Sequence, residues 1–71
     1  MLYTVVRKLF KGGKETHSME DKETYDEAEK RFYNIIATDL NDPEITYNSA
    51  YIINSDGLMM KGEVFKREVS E

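Results

Sequence analysis

The sequence predicts an α+β domain in which a four-stranded antiparallel sheet, built in the order ββαββ, carries one helix packed on one face. Three observations predict it. The first ten residues are rich in β-branched and aromatic side chains and run into Gly12-Gly13. A capped amphipathic segment occupies the middle of the chain. Two further strand-like segments then flank Asn54-Ser55-Asp56-Gly57.

The first strand is Leu2 to Phe10, whose Val, Tyr, Thr and Phe content is that of a pleated, half-buried surface. A Gly-Gly pair accepts the positive φ angles of a tight hairpin, so Lys14 to Met19 is expected to return as a short polar edge strand. Leu2, Val6 and Phe10 lie on one side of the first strand, and Tyr3, Val5 and Leu9 on the other. Neither side is polar, which suits a central strand covered on both faces.

The helix is expected from Thr24 to Leu40. Thr24-Tyr25-Asp26-Glu27 matches a capping box, with the Thr24 hydroxyl accepting from the Glu27 amide and the Glu27 carboxylate reaching back to the Thr24 amide. Tyr25, Ala28, Phe32, Ile35, Ile36 and Leu40 recur at spacings of three and four and form one apolar stripe. Asp26, Glu27, Lys30, Arg31, Asn34 and Thr38 form the other side, where Asp26 with Lys30 and Glu27 with Arg31 are acid-before-base pairs four apart. Asn41-Asp42-Pro43 ends the helix, because Asn tolerates a left-handed cap and Pro disfavours helical geometry in the residue before it.

Ile45 to Asn54 and Leu58 to Arg67 are the last two strands. Asp56-Gly57 can form a two-residue loop, with Ser55 opposite Leu58. Alternatively, Ser55-Asp56 forms a type I turn with Gly57 left-handed and Asn54 opposite Leu58; Asn first and Gly fourth favour this second form. That register places Ala50, Ile52, Met60, Gly62 and Val64 on a face with room for the helix. It places Ile45, Tyr47, Tyr51, Ile53, Met59 and Phe65 on the outward face. The expected strand order is two, one, three, four.

Length and composition bound the function. At 71 residues the chain reads as one domain over 1–71, and a chain of this size buries only about 60% of the surface its unfolded form exposes. With no cysteine, neither a disulfide framework nor a thiolate metal site can reinforce the small core. Packing must suffice, or self-association must add buried area. No apolar run approaches a membrane span, and the start lacks a signal-peptide layout, so the expected location is the cytoplasm.

The net charge of −4 is unevenly spread: residues 1–14 carry Arg7, Lys8, Lys11 and Lys14 with no acid, and residues 15–29 carry seven acids against Lys22. This pattern weakens the case for nucleic acid, which wants a contiguous basic footprint. His17, the single histidine, has no serine or acid in a catalytic spacing and reads as a solvated surface residue. The acids from Glu20 to Glu27 lack the glycine-bearing order of a calcium loop and instead complement the start of the helix dipole. Gly12-Gly13 lacks the lysine and hydroxyl spacing of a phosphate loop. No cofactor and no metal site is expected, and the chain does not read as an enzyme.

The expected working surface is the outward face bearing Tyr47, Tyr51, Ile53, Met59 and Phe65. Aromatics on an open sheet anchor a protein interface or stack single-stranded bases; the plainer reading is a cross-strand ladder that stabilises the sheet. The expected partner is a protein, most simply a second copy in a homodimer. The alternatives are a single-stranded nucleic-acid binder using those aromatics with Arg7, Lys8 and Lys11, and an acidic inhibitor imitating nucleic acid through residues 15–29.

A hydrophobic first strand ending near Phe10, Thr24, Ala28 and Phe32-Tyr33 in the helix, and Tyr51-Ile52-Ile53-Asn54-Ser55-Asp56-Gly57 followed by Lys61 and Glu63, together resemble small uncharacterised proteins encoded by phages and prophages of Gram-positive bacteria. The resemblance covers most of the chain and brings no catalytic or binding residue with it. It implies a viral accessory or virion-associated setting, and hence protein partners.

Overall fold

The protein, as a computed structural model, is described here over residues 2–67. Strands β1 (Tyr3–Lys11) and β2 (Lys14–Lys22), helix α1 (Tyr25–Leu40), and strands β3 (Ile45–Asn54) and β4 (Met59–Lys66) follow one another. All pairings are antiparallel and the sheet order is β2-β1-β3-β4, as expected from sequence. Strand β2 is longer than its polar sequence suggested, because the two-residue turn sets Lys11 opposite Lys14 and the ladder then runs on to Tyr3 and Lys22. Gly12 and Gly13 supply φ values of 57° and 79° there, in the left-handed region that side chains resist.

Helix α1 begins as its capping residues dictate. The Thr24 hydroxyl accepts the Glu27 amide at 3.2 Å. The Glu27 carboxylate turns to that same hydroxyl at 3.3 Å rather than to the Thr24 amide. At the other end Asn41 stays right-handed, with φ −83° and its amide bonded to the helix carbonyls, so the stop at Pro43 needs no left-handed residue. The expected Asp26–Lys30 and Glu27–Arg31 pairs do not form among the described residues. Arg31 instead reaches Glu20 on β2 at 2.5 Å, and Glu29 receives Lys61 of β4 at 2.9 Å. The sheet lies within reach of these side chains, so the charges clamp the helix to both edges instead of running along it.

The core is one layer between helix and sheet: Val5, Ala50 and Ile52 from the strands meet Ala28, Phe32 and Ile35 from the helix, with Tyr3, Tyr25 and Ile36 packed around them. The apolar stripe is as expected except in its last turn. There Leu40 is exposed, and Asp39 is completely buried. Asp39 accepts the Arg7 guanidinium from β1, with Nε at 3.0 Å from Oδ2, and also the Asn48 side-chain amide from β3. A buried carboxylate held by a fork of donors is tolerated where an unpaired one would not be.

The β3–β4 hairpin forms the turn that the sequence favoured. Gly57 is left-handed at φ 81°, its amide bonds the Asn54 carbonyl at 2.9 Å, and the Asn54 amide bonds the Leu58 carbonyl at 3.0 Å. Ile53 then pairs with Met59 as expected. Beyond this point the expected register fails, because the ladder passes from Ile53↔Met59 to Ile52↔Lys61 and leaves Met60 as a bulge. One extra residue exchanges the two sides of everything after it. Gly62 and Val64, expected under the helix, fall on the face away from it opposite Tyr51 and Ser49. Phe65, expected outward, lies opposite the buried Asn48. Met60 itself is about half exposed rather than in the core.

A second irregularity at the far end of β3 corrects Ile45. Pairing passes from Phe10↔Tyr47 to Lys11↔Ile45, skipping Thr46, so Ile45 alternates to the helix side and is buried. No helix among the described residues is long and apolar enough to cross a membrane.

Candidate protein interface

Among the described residues no element packs on the face of the sheet away from α1, and the registers give its layout. Four rows of side chains cross the strands in the order β2, β1, β3, β4: Asp21-Thr4-Ile53-Met59, Met19-Val6-Tyr51-Gly62, His17-Lys8-Ser49-Val64 and Glu15-Phe10-Tyr47-Lys66. The strand period of two is what brings these residues together. Ile53, Met59, Met19, Val6 and Tyr51 make a contiguous apolar patch at one end, and Phe10 and Tyr47 make a smaller one at the other.

Of the five residues expected on this surface, Tyr47, Tyr51, Ile53 and Met59 are on it. Phe65 is not: the Met60 bulge turns it to the helix side, where Arg67 lies 5.5 Å from its ring centre. Arg67 also donates to the carbonyls of Leu40 and Asp42, which ties the end of the last strand to the end of the helix. Val6, Phe10, Met19 and Val64 belong to the surface and were not singled out from sequence. Met19 is 72% exposed, Met59 66% and Val64 58%, large fractions for apolar side chains. Met19 was within reach of sequence reasoning, since a two-residue turn at Gly12-Gly13 already sets Val6 opposite Met19.

Tyr51 stands between two shallow grooves. One, of about 580 Å³, is lined by Val6, Lys8, His17 and Met19. The other, of about 370 Å³, is lined by Ser49, Met59, Gly62 and Val64. Gly62 keeps the second groove open: a Cβ there would come within 2.9 Å of the Met59 sulfur and 3.5 Å of the Tyr51 Cβ. An aromatic side chain covering a cross-strand glycine is a stabilising arrangement in its own right.

The polar end of the face is internally neutralised. Glu15 receives Lys8 at 2.9 Å and lies 3.2 Å from the His17 ring. The hydrogen bonds from Lys8 and then His17 hold the Glu15 carboxyl below its ordinary range, and the same contact raises Lys8. Lys8 is therefore committed within the chain, which takes one cation away from any nucleic-acid backbone. Arg7 is committed to Asp39, and Lys11 to Asp42 at 2.7 Å. The three bases considered for a nucleic-acid contact are thus all engaged by acids. Among the described residues no three His, Asp or Glu side chains are grouped to hold a metal ion.

Neither a protein-family model, nor a curated protein, nor a solved structure matches this chain.

Proposed function

We propose that this chain is a non-enzymatic protein-interaction domain that works through the uncovered face of its sheet, most simply by binding a second copy of itself. The observation that carries the reading is the patch of Met19, Val6, Tyr51, Ile53 and Met59 on a face over which no element packs among the described residues. Aromatic and methionine side chains are enriched in the buried centres of interfaces, where charged residues are depleted. The Tyr51 ridge between two grooves fits a two-fold arrangement in which each copy's tyrosine enters a groove of the other. Such a pairing adds buried area that a chain of 71 residues cannot supply alone. A phage or prophage accessory role, in the cytoplasm of the host cell, is the setting in which we place it.

The engagement of Arg7, Lys8 and Lys11 by acids supports a protein partner over single-stranded nucleic acid. Light scattering coupled to size exclusion tests the reading. The wild type should associate as its concentration rises, and Tyr51→Lys should weaken that association with its helix content unchanged. A monomeric wild type whose open face gains no protection from exchange with any partner would overturn it.

A further inference from the structure

We propose that β4 is a self-pairing edge: two copies join their β4 strands antiparallel about a two-fold axis through Gly62, which makes one sheet continuous across both chains. This contact is separate from the open-face contact proposed above: it uses the outward backbone edge of β4 and not the side chains of Met19, Val6, Tyr51, Ile53 and Met59.

The inference begins with the ladder. Strands β2 and β4 are the two edges of the sheet. The Arg67 amide bonds the Thr46 carbonyl at 2.8 Å, which fixes the phase of the β3–β4 hydrogen bonds. Alternation in an antiparallel pair then turns the backbone groups of Phe65, Glu63 and Lys61 towards β3, and leaves those of Lys66, Val64 and Gly62 pointing out. A second β4 strand can bond only to that outward set.

Charge selects the register. Centred on Gly62, the pairing sets Gly62 opposite the partner's Gly62, and Lys61 opposite the partner's Glu63 twice over. Those two ion pairs fall at the non-hydrogen-bonded positions, where facing side chains are closest. Centring on Glu63 would face two glutamates, and centring on Val64 would set Lys61 against Arg67. Centring on Phe65 would set Glu63 against Arg67, but Arg67 already donates to the Leu40 and Asp42 carbonyls, so the Gly62 register, with Lys61 facing Glu63, is the one we assign. Glu63 takes part in no ion pair among the described residues, and it points to the helix side where Lys61 already lies.

Lys61 is held in place for this role. It donates to Glu29 at 2.9 Å and to the Tyr33 hydroxyl at 2.5 Å, with its ammonium 4.6 Å from the Tyr33 ring centre. Those contacts raise its pKa, the Tyr33 hydrogen bond most and Glu29 next. A partner's Glu63 would approach an ammonium already positioned. A glycine at the axis leaves no side chain where the strands cross, and a two-fold axis normal to the sheet keeps both helices on one side. The Met60 bulge ends the outward ladder, so the paired stretch is short and the association depends on concentration.

The test is amide exchange and light scattering on the full chain at low and high concentration. The Gly62 amide should exchange at least about tenfold more slowly in the associated protein. On the Tyr51→Lys background, which removes the open-face contact, Glu63→Lys places lysine against lysine at both positions and should weaken association at least about tenfold. Mixing Glu63→Lys with Lys61→Glu on that background restores both ion pairs in the mixed dimer alone, so each variant should be monomeric by itself and the mixture dimeric. If Lys61→Glu loosens the helix, wild-type exchange decides. A Gly62 amide that exchanges equally fast at every concentration, or a Glu63→Lys variant that associates as tightly as its parent on the Tyr51→Lys background, would overturn the proposal. Tyr51→Lys removes the open-face contact alone and should leave the slowed exchange at Gly62 in place, so failure of the open-face reading and failure of this one are distinguishable.

Discussion

The Asp39 carboxylate and the Arg7 guanidinium face each other as a two-pronged pair, although they lie 32 residues apart in sequence. Asp39 is sealed from solvent and Arg7 keeps about a quarter of its side chain exposed. Removing one member of a buried pair strands the other, so we predict that Asp39→Ala lowers stability by about 3 kcal/mol, the low end for such losses because Arg7 can still reach water. Replacing Arg7 and Asp39 with leucine and Asn48 with alanine, so that no buried polar group is stranded, should recover most of the loss. Urea melts of the single and triple variants decide, and a triple variant as unstable as Asp39→Ala would show that the stranded partners are not the reason.

Phe32 and Ile35 are fully enclosed, whereas Ile36 lies at the margin of the same cluster. Phe32→Ala should cost about 3 to 5 kcal/mol and Ile35→Ala about 2 to 5, against a total that in so small a domain is about 5. Ile36→Ala should cost less than either, and Asn34→Ala, on the exposed side, almost nothing. Thermal midpoints in any other order would mean that the helix presents a different face.

The Thr24 cap offers a smaller and cleaner change. Thr24→Ala removes the acceptor for the Glu27 amide and should cost about 1 kcal/mol, with Thr24→Ser close to wild type. Chemical denaturation resolves the difference. A neutral Thr24→Ala would imply that the acids of the first turn start the helix unaided.

Acid should loosen the clamp between β2 and the helix. Arg31 holds the Glu20 carboxyl below its ordinary 4.5, mainly by direct hydrogen bonding. A carboxyl depressed in the folded state contributes stability that is complete above its unfolded value and is lost as pH falls through the folded one. Stability should therefore decline below about pH 4.5, and Glu20→Gln should show a shallower decline than wild type. Melting temperatures taken between neutral pH and pH 2 would reveal it, and parallel curves would remove Glu20 from the account.

The order of the elements, the helix limits and both turns were legible because each rests on a local signal: a Gly-Gly pair, a threonine three residues before a glutamate, an Asn-Ser-Asp-Gly turn. The side chains facing each other across β3 and β4 were legible only up to Met59. A bulge has no residue type of its own, and the pairing on either side of Met60 looks equally good when read alone. Asp39 was missed for a related reason. Periodicity ranks Leu40 as apolar, and nothing local shows that Arg7 and Asn48 wait across the sheet to receive a carboxylate. The open surface was half visible, as the aromatics of β3, and its share from β1 and β2 required carrying the first hairpin's register through to Met19.

Met60 makes the last strand depend on counting rather than composition. The same residues paired without that bulge would carry Gly62 and Val64 beneath the helix and turn Phe65 out to water, while Lys61 and Glu63 would leave the side on which Glu29 and Tyr33 receive the lysine. Loss of that one codon would instead keep both surfaces of the edge as they are, because Ile53↔Met59 would then pass directly to Ile52↔Lys61 in an unbroken ladder.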